Sequence, residues 1–558
     1  MPPIFSQTTI YNHILLTTIT LVSTSFPSAT AQPIIPAHDG TNTQVTTHQN
    51  RFDITGGQTS PDGANLFHSF QKFGLDPNQI ANFISHPDIQ NILGRVTGGD
   101  PSIINGLITV TGGNSNLFLI NPAGIIFGAN AALNVPADFT ATTATSIGFD
   151  NGWFHANGIN DYTAIIGKPS TFNFSIPDPG SIINTTALSV PSGHNLNLIG
   201  GTIINSGSLT ATGGNITITA VSSDSPLVKG GEGGLIIRIS QPGHLLSLDI
   251  PASHLPITPL TLPQLLANTN IPHANTVTVT PTGEVILTGS GWSVRPGDAV
   301  LVNSSLNARN ATLSATGNLT LGGSQLSLNQ DLHLLAGDTV RIRDGVVPFL
   351  TQAGGDIGIQ GDKNIDILAL DTISPFTALG DITLASNGQI SGDSHFTAGG
   401  NFSIQNLTGQ PGTFISWYDP IIIATGDIIF GDYTGVALKV EAGGAIRAGN
   451  MNITGPDVTL ANAADPDAEV LSSSAALILR SGVTSFSSAP NLTPDSNAID
   501  TSFITTPISG NGISTGIITT GGWSVIWNAA GNITAIESKP TAVISISLLA
   551  TTSVSSVF

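Results

Sequence analysis

The sequence predicts an all-β chain wound as a right-handed parallel β-helix, a single-stranded solenoid with an N-terminal cap and an extra-helical insertion. Composition is the first reason. The chain has 558 residues, 63 of them glycine, and only 9% are charged. Many short strands and tight turns suit that mixture, whereas a helical protein would need Ala, Glu, Lys and Leu in helical spacing. The second reason is strand alternation closing on glycine. Residues 194–220 contain NLNLIGG, TIINSG, SLTATGG and NITITA, which puts Leu196 with Leu198, and Ile216 with Ile218, on one face. The third is a repeat of Gly-Asp and Gly-Asn pairs. Gly297, Gly317 and Gly337 are twenty residues apart, and Gly361, Gly380 and Gly400 follow at steps of nineteen and twenty. Alternating runs follow at Asn318, Asp381 and Asn401. A period near twenty with three short strands per turn is what a β-helix requires.

A single coil of that length orders more backbone than its few buried side chains can offset. Stacking buries both of its faces and completes the backbone ladders. At about 4.8 Å per coil, some 20 coils would form a rod on the order of 100 Å long. Its ends would expose unpaired strand edges and need caps.

In chain order, residues 1–31 read as a secretory signal peptide. ILLTTITLV is its apolar core and Ala29-Thr30-Ala31 its small-residue cleavage site, with Gln32 the first mature residue. The core is too short to span a bilayer, and no other stretch reaches about 18 unbroken apolar residues. Export without membrane insertion is the expectation. Residues 34–48 read as a loose polar lead-in, and 64–73 carry four aromatic or apolar residues at alternate and near-alternate positions. Residues 76–85 (DPNQIANFIS) predict a helical turn: Asp76 as cap, Pro77 at the first helical position, then Ile80, Phe83 and Ile84 at helical spacing. Residues 32–220 form one expected domain. Residues 221–281 break the repeat, because Pro251, Pro256, Pro259 and Pro263 cannot donate ladder bonds. They read as an extra-helical insertion with a hairpin and a short helix near 260–268. Coils are expected to resume near Glu284, and residues 282–558 to form a β-helix repeat region ending in a ragged coil.

The most informative stretch is 114–149, NSNLFLINPAGIIFGANAALNVPADFTATTATSIGF. Two apolar runs, 117–120 and 125–127, flank Asn121-Pro122-Ala123-Gly124. Pro122 presets φ for the second turn position, Asn121 can bond back to the backbone, and Gly124 tolerates φ > 0. No charge interrupts the join, which describes buried strands. Here the sequence resembles the secretion domain of filamentous-haemagglutinin-like exoproteins, the passengers of two-partner secretion. Asn121, Pro122, Gly124 and Ile125 match that family's Asn-Pro-x-Gly-Ile signature. The preceding segment, 67–108, is similar to the family's cyanobacterial branch. The resemblance covers about residues 51–149 closely and is architectural beyond. It implies that 64–73 is a strand leading into the first coils. It also implies recognition by the periplasmic domains of an outer-membrane β-barrel transporter, and a secreted or surface-held, adhesin-like product, with surface glycans or neighbouring cells as candidate partners. The motif's implied role is mainly to support folding of the secretion domain. Asn65-Leu66 holds an early strand position, and the family's second Asn-Pro-type motif has no clean match upstream.

Net charge is −20, which argues against nucleic acid and anionic membrane surfaces and suits solubility outside a cell. Cysteine is absent, so disulfides, thiolate metal sites and thiol catalysis are excluded. A chain that crosses an oxidising periplasm unfolded benefits from that. No zinc-protease motif, phosphate loop or nucleophile elbow occurs; no catalytic residue, cofactor or metal is expected. His68, His86 and His155 read as structural or exposed. The alternative is a β-helical polysaccharide lyase or hydrolase, which needs carboxylates clustered across adjacent coils. Its best candidates are Arg341, Arg343 and Asp344, with Asp338 and Asp362. Against it, Val340 and Ile342 would point inward, leaving the arginines as ordinary outward alternates. Trp292, Trp417, Tyr418 and Trp523 are candidate glycan-stacking platforms. Asn and Asp after the turn glycines are expected to bond locally to backbone, since the calcium-binding nonapeptide array is missing.

Overall fold

Alternation of inward apolar and outward polar side chains produces a parallel β-helix with three strands per coil. The computed structural model describes residues 34–176, 179–222, 294, 296–370, 374–418, 420–460, 465–483 and 512–520, and the backbone of strands at 228–230, 234–236, 276–279, 285–288, 525–529, 533–539, 544–548 and 555–556. The expected signal peptide, 1–31, lies outside these residues, as does the helix expected near 260–268. Among the described residues, 39 strands belong to one connected sheet system. Apart from Ile35–Pro36 and Gln58–Thr59, which lie antiparallel to Asn65–Lys72, these strands pair in parallel with their counterparts in neighbouring coils. Ala299 faces Leu319, Leu319 faces Val340, Val340 faces Ile365, and Ile365 faces Ile390. The coil length read from these partners is 20, 21, 25 and 25 residues. Inward positions such as Leu196, Leu198, Ile216, Ile218, Val340 and Ile342 are fully buried in one continuous core.

The nineteen-residue step from Gly361 to Gly380 is not a repeat. Gly317 N–H donates to Gly297, and Asp338 N–H to Gly317, along one corner. Gly400 donates to Gly380 and Gly426 to Gly400 along another. Two corners of similar composition mimic one period.

Four segments depart from the sequence expectation. The lead-in is ordered: Thr43–His48 pairs antiparallel with Arg51–Gly56, and Ile35–Pro36 lies antiparallel against Asn65–Lys72. These strands cap the first coil, as the exposed edge requires. The helical turn expected at 76–85 is instead a turn followed by strand Ile80–Ile84, held between Arg51–Gly56 and Leu107–Thr111. Pairing on both edges overrides a helical spacing only a few residues long. Residues 146–173 leave the helix as an antiparallel sheet of Ser146–Gly148, Trp153–His155 and Thr171–Asn173. Between Met451–Gly455 and Leu477–Ser481, a segment with a short helix, Ala468–Ser473, packs Leu460, Val470 and Leu471 against Ile421 and Ile478.

The ladder bridges the large insertion directly, because Ile203 faces Ala299. Two antiparallel hairpins are described within it, Val228–Gly230 with Gly234–Ile236 and Thr276–Val279 with Val285–Thr288. The strand at Val285–Thr288 therefore belongs to a hairpin, and the coils resume at Ala299 rather than near Glu284. Strands Ile544–Leu548 and Ser555–Ser556 still pair in parallel with preceding coils.

Candidate functional site

The Asn-Pro-x-Gly-Ile stretch forms a coil corner. Asn116–Ile120 pairs in parallel with Asn91–Val96 and Phe139–Thr142, while Ile125–Phe127 pairs with Ser102–Ile104 and Ser181–Asn184. The two flanking strands thus pair with neighbouring coils, not with each other. Asn121 is fully buried, and its side chain is saturated within the fold. Its amide donates to the Asp100 carbonyl at 2.9 Å and to Ser102 Oγ at 3.0 Å. Its Oδ1 accepts the Ala123 N–H at 3.0 Å, and Gly124 N–H closes the turn onto the Asn121 carbonyl at 3.0 Å. Gly124 has φ of +125°, and a Cβ there would stand 3.1 Å from the Ser181 carbonyl. The Pro122 carbonyl accepts the Gly180 N–H at 3.0 Å. Ile125 is fully buried. One short turn therefore ties the preceding coil, at 100–102, to the following one, at 180–181. A buried amide with all its bonds made fixes geometry and offers nothing to a partner once folded.

Asn65 begins a ladder of side-chain bonds. Its amide reaches Ser60 Oγ and the Gly167 carbonyl, and its Oδ1 accepts from Asn91, whose own Oδ1 accepts from Asn116. Asn116 then takes the Asp138 N–H, Asp138 that of Asn195, and Asn195 that of Asn215. Beyond the insertion, Asn310, Asp331, Asp356, Asp381, Asn401 and Asp427 each accept a backbone N–H from the next coil. These residues bond across coils, which corrects the expectation of local backbone bonding. Insertions and unequal coils hide the spacing.

Sequence reasoning missed Arg95. It is buried, and its guanidinium bonds Asp39 and Ser69 and the carbonyls of His155 and Gly158 at 2.8–3.0 Å. Phe154 lies 5.8 Å beneath it. Burial raises the Asp39 pKa, but hydrogen bonds from Ser69, Thr41 and Arg95 outweigh it and hold the carboxyl at about 2. Arg95 thereby links the cap, the first coils and the excursion at 146–173. The signal available in sequence was a lone basic residue inside the apolar run NILGRV.

His68 is buried beside Phe70 and Phe83, with neither ring nitrogen hydrogen-bonded. Desolvation holds its pKa down at about 3, so it is neutral. His86 and His155 are exposed. Among the described residues no group of His, Asp and Glu is placed to hold a metal.

The lyase candidates do not assemble. Arg341 and Arg343 project outward and both meet Asp366, at 3.4 and 2.6 Å. Asp338 pairs with Lys363, and Asp362 accepts from Gln360. Asp344 accepts the backbone N–H groups of Phe349 and Leu370, which is loop anchoring. Trp417 and Tyr418 are about half exposed on a turn whose N–H groups bond the buried carboxylate of Asp393; Trp292 and Trp523 lie outside the described residues.

Residues 31–239 match the family described as the TPS secretion domain. Similar solved structures include the HMW1 secretion domain from Haemophilus influenzae, at 15% identity and a TM-score of 0.30, covering 93% of this chain and 100% of that one. The filamentous hemagglutinin secretion domain is similar at 12% identity and a TM-score of 0.28, covering 76% and 99%. No curated protein gives a significant match.

Proposed function

From the premise that this chain is a two-partner secretion exoprotein, carrying its TPS secretion domain at residues 31–239, we propose that an outer-membrane β-barrel transporter recognises that domain through its periplasmic domains. The passenger crosses as an extended chain after a signal peptide at 1–31 has directed it to the periplasm. It folds outside, coil upon coil, into an adhesin-like product that is released or held at the surface. No ATP is needed, because stacking supplies the drive.

The family match across 31–239 carries this reading. The buried state of Asn121, Pro122, Gly124 and Ile125 refines it. Their polar groups are spent inside the folded corner, so they serve secretion by closing the first coils. The transporter meets the segment before closure. Non-enzymatic display fits the dispersal of the lyase candidates into separate structural contacts.

Co-expression with a matched transporter tests this. Deleting residues 121–124 is expected to abolish release into the medium while the chain remains in the periplasm. Full-yield export of the deletion ends the motif's role in secretion.

A further inference from the structure

Outward positions of the first coils change character along one column. Phe67, Leu93 and Phe118 are apolar and buried under the sheet at 146–173, in a second hydrophobic cluster. The next outward positions in register are Thr140, Asn197 and Thr217. Where this polar stretch begins, a groove of about 360 Å³ opens, bounded by Lys168, Ser170 and Phe172 of the excursion and floored by Phe118 and Ile199. Small-molecule sites span about 300–1,000 Å³.

The unused bonding capacity here is mostly uncharged. Asn197 lines the groove, and its amide donates to Thr140 Oγ1 at 3.1 Å, which leaves its Oδ1 without a partner among the described residues. The Thr217 hydroxyl and the Gln90 amide are likewise unengaged. Asp138 is already taken up by the Asn195 backbone and side-chain N–H groups, at 2.8 and 2.9 Å, and by His194. A peptide adding as a strand has no edge to join, because these strands are laddered on both sides. Polar positions repeat at about 4.8 Å from coil to coil, over an apolar floor. Hydroxyl-rich rings joined in a chain match that lining, since each ring offers hydroxyls to side-chain amides and a C–H face to aromatic edges.

We propose that this groove binds a neutral oligosaccharide, with Asn197 and Thr217 as the specificity-determining contacts and Gln90 at the rim. Its biological use rests on the adhesin-like reading, but the binding itself does not require export.

The folded full-length chain would be titrated calorimetrically with cellotetraose, maltotetraose, xylotetraose and chitotetraose. At least one is expected to bind, and Asn197→Leu with Thr217→Val to weaken it about tenfold or more, the loss of roughly one good hydrogen bond. Gln90→Ala, at an exposed side chain, is expected to weaken the same ligand if the double variant folds poorly. Trp417→Ala is expected to leave binding unchanged. The proposal fails if no tetrasaccharide binds, if the groove variants bind as tightly as the native chain, if Trp417→Ala removes binding, or if the groove captures extended peptides instead. The transporter takes no part, so failed binding and failed secretion are separate results.

Discussion

Residues 34–220 and 296–460 share one architecture but are held in different ways. The leading region shares the Asn/Asp ladder through Asn116, Asp138 and Asn195, but the contacts peculiar to it occur once each and reach far along the sequence. Arg95 gathers Asp39, Ser69, His155 and Gly158, Asn65 reaches Gly167, and Thr43–His48 runs antiparallel to its neighbour. In the later region the same few contacts recur. Phe349, Phe376, Phe396 and Phe402 follow one another at 5.0–5.4 Å between ring centres. Asp331, Asp356, Asp381 and Asn401 each take a backbone N–H from the coil after. A repeat coil needs only its predecessor, whereas the leading region needs its excursion and cap together. The leading region is therefore expected to fold as a unit and to template the later coils.

The sharpest break in this contrast lies late in the chain. Lys439, Glu441 and Arg480 of the coils and Asp467 of the segment at 465–476 are almost fully buried together, with Asp465 at their edge. Arg480 meets Asp467 at 2.6 Å and Glu441 at 3.0 Å, and Lys439 meets Asp467 at 2.9 Å. Removing one partner from such a network strands buried charge at a cost of about 3–5 kcal/mol. Arg480→Met is expected to produce an early denaturant transition confined to residues beyond about 420, read by hydrogen exchange. Loss of protection spread evenly over all coils would show that the regions are not separable. Burial opposes each charge, but the mutual contacts win, lowering the Asp467 pKa below 3.8 and raising that of Lys439 above 10.5. Asp467 contributes stability above pH 3.8 that disappears as the pH falls through its depressed value. Lys439 contributes below pH 10.5 and ceases to as the pH climbs through its raised value.

Acid should separate the regions from the other side. The unfolded chain protonates His68 near pH 6.5, but the folded chain only near pH 3. Unfolded chains thus bind the extra proton between those values, so the leading region loses stability as the pH falls from 6.5 toward 3. His68→Leu is expected to remove that slope. It should also add about 1–3 kcal/mol at neutral pH by deleting a buried imidazole without hydrogen bonds. Urea midpoints at pH 7 and pH 4.5 measure both effects. An unchanged slope would move the acid sensitivity elsewhere.

What the sequence made legible follows the same division. Alternation exposed the strands around Leu196 and Ile216 because the burial pattern has the period of a strand. The corner at 121–124 was readable because Pro122 and Gly124 restrict backbone locally. Arg95 was not, since its partners lie 26 to 63 residues away and no periodicity brings them together. Ile80, Phe83 and Ile84 misled because their spacing also fits a helix, and only pairing on both edges decides between the two. The covering residues at 456–460 and 465–476 stayed hidden because they pack on the outside of a column whose inward face already satisfied the pattern.

The smallest expected effect tests the regularity of the later region. Asp331, Asp356 and Asp381 stack in one column, each using a single oxygen to accept the next backbone N–H. At a coil spacing of about 4.8 Å, neighbouring carboxylates repel. Asp356→Asn keeps the accepting oxygen and removes the central charge, as Asn401 does naturally two coils on. It should stabilise by about 0.2–1 kcal/mol at low ionic strength, and the gain should vanish in 1 M salt, where the screening length is about 3 Å. Asp356→Ala should instead destabilise by about 0.5–1.5 kcal/mol at any salt, because the Asp381 N–H loses its acceptor. If Asn and Ala behaved alike, the column would be decoration on coils already held by their apolar core.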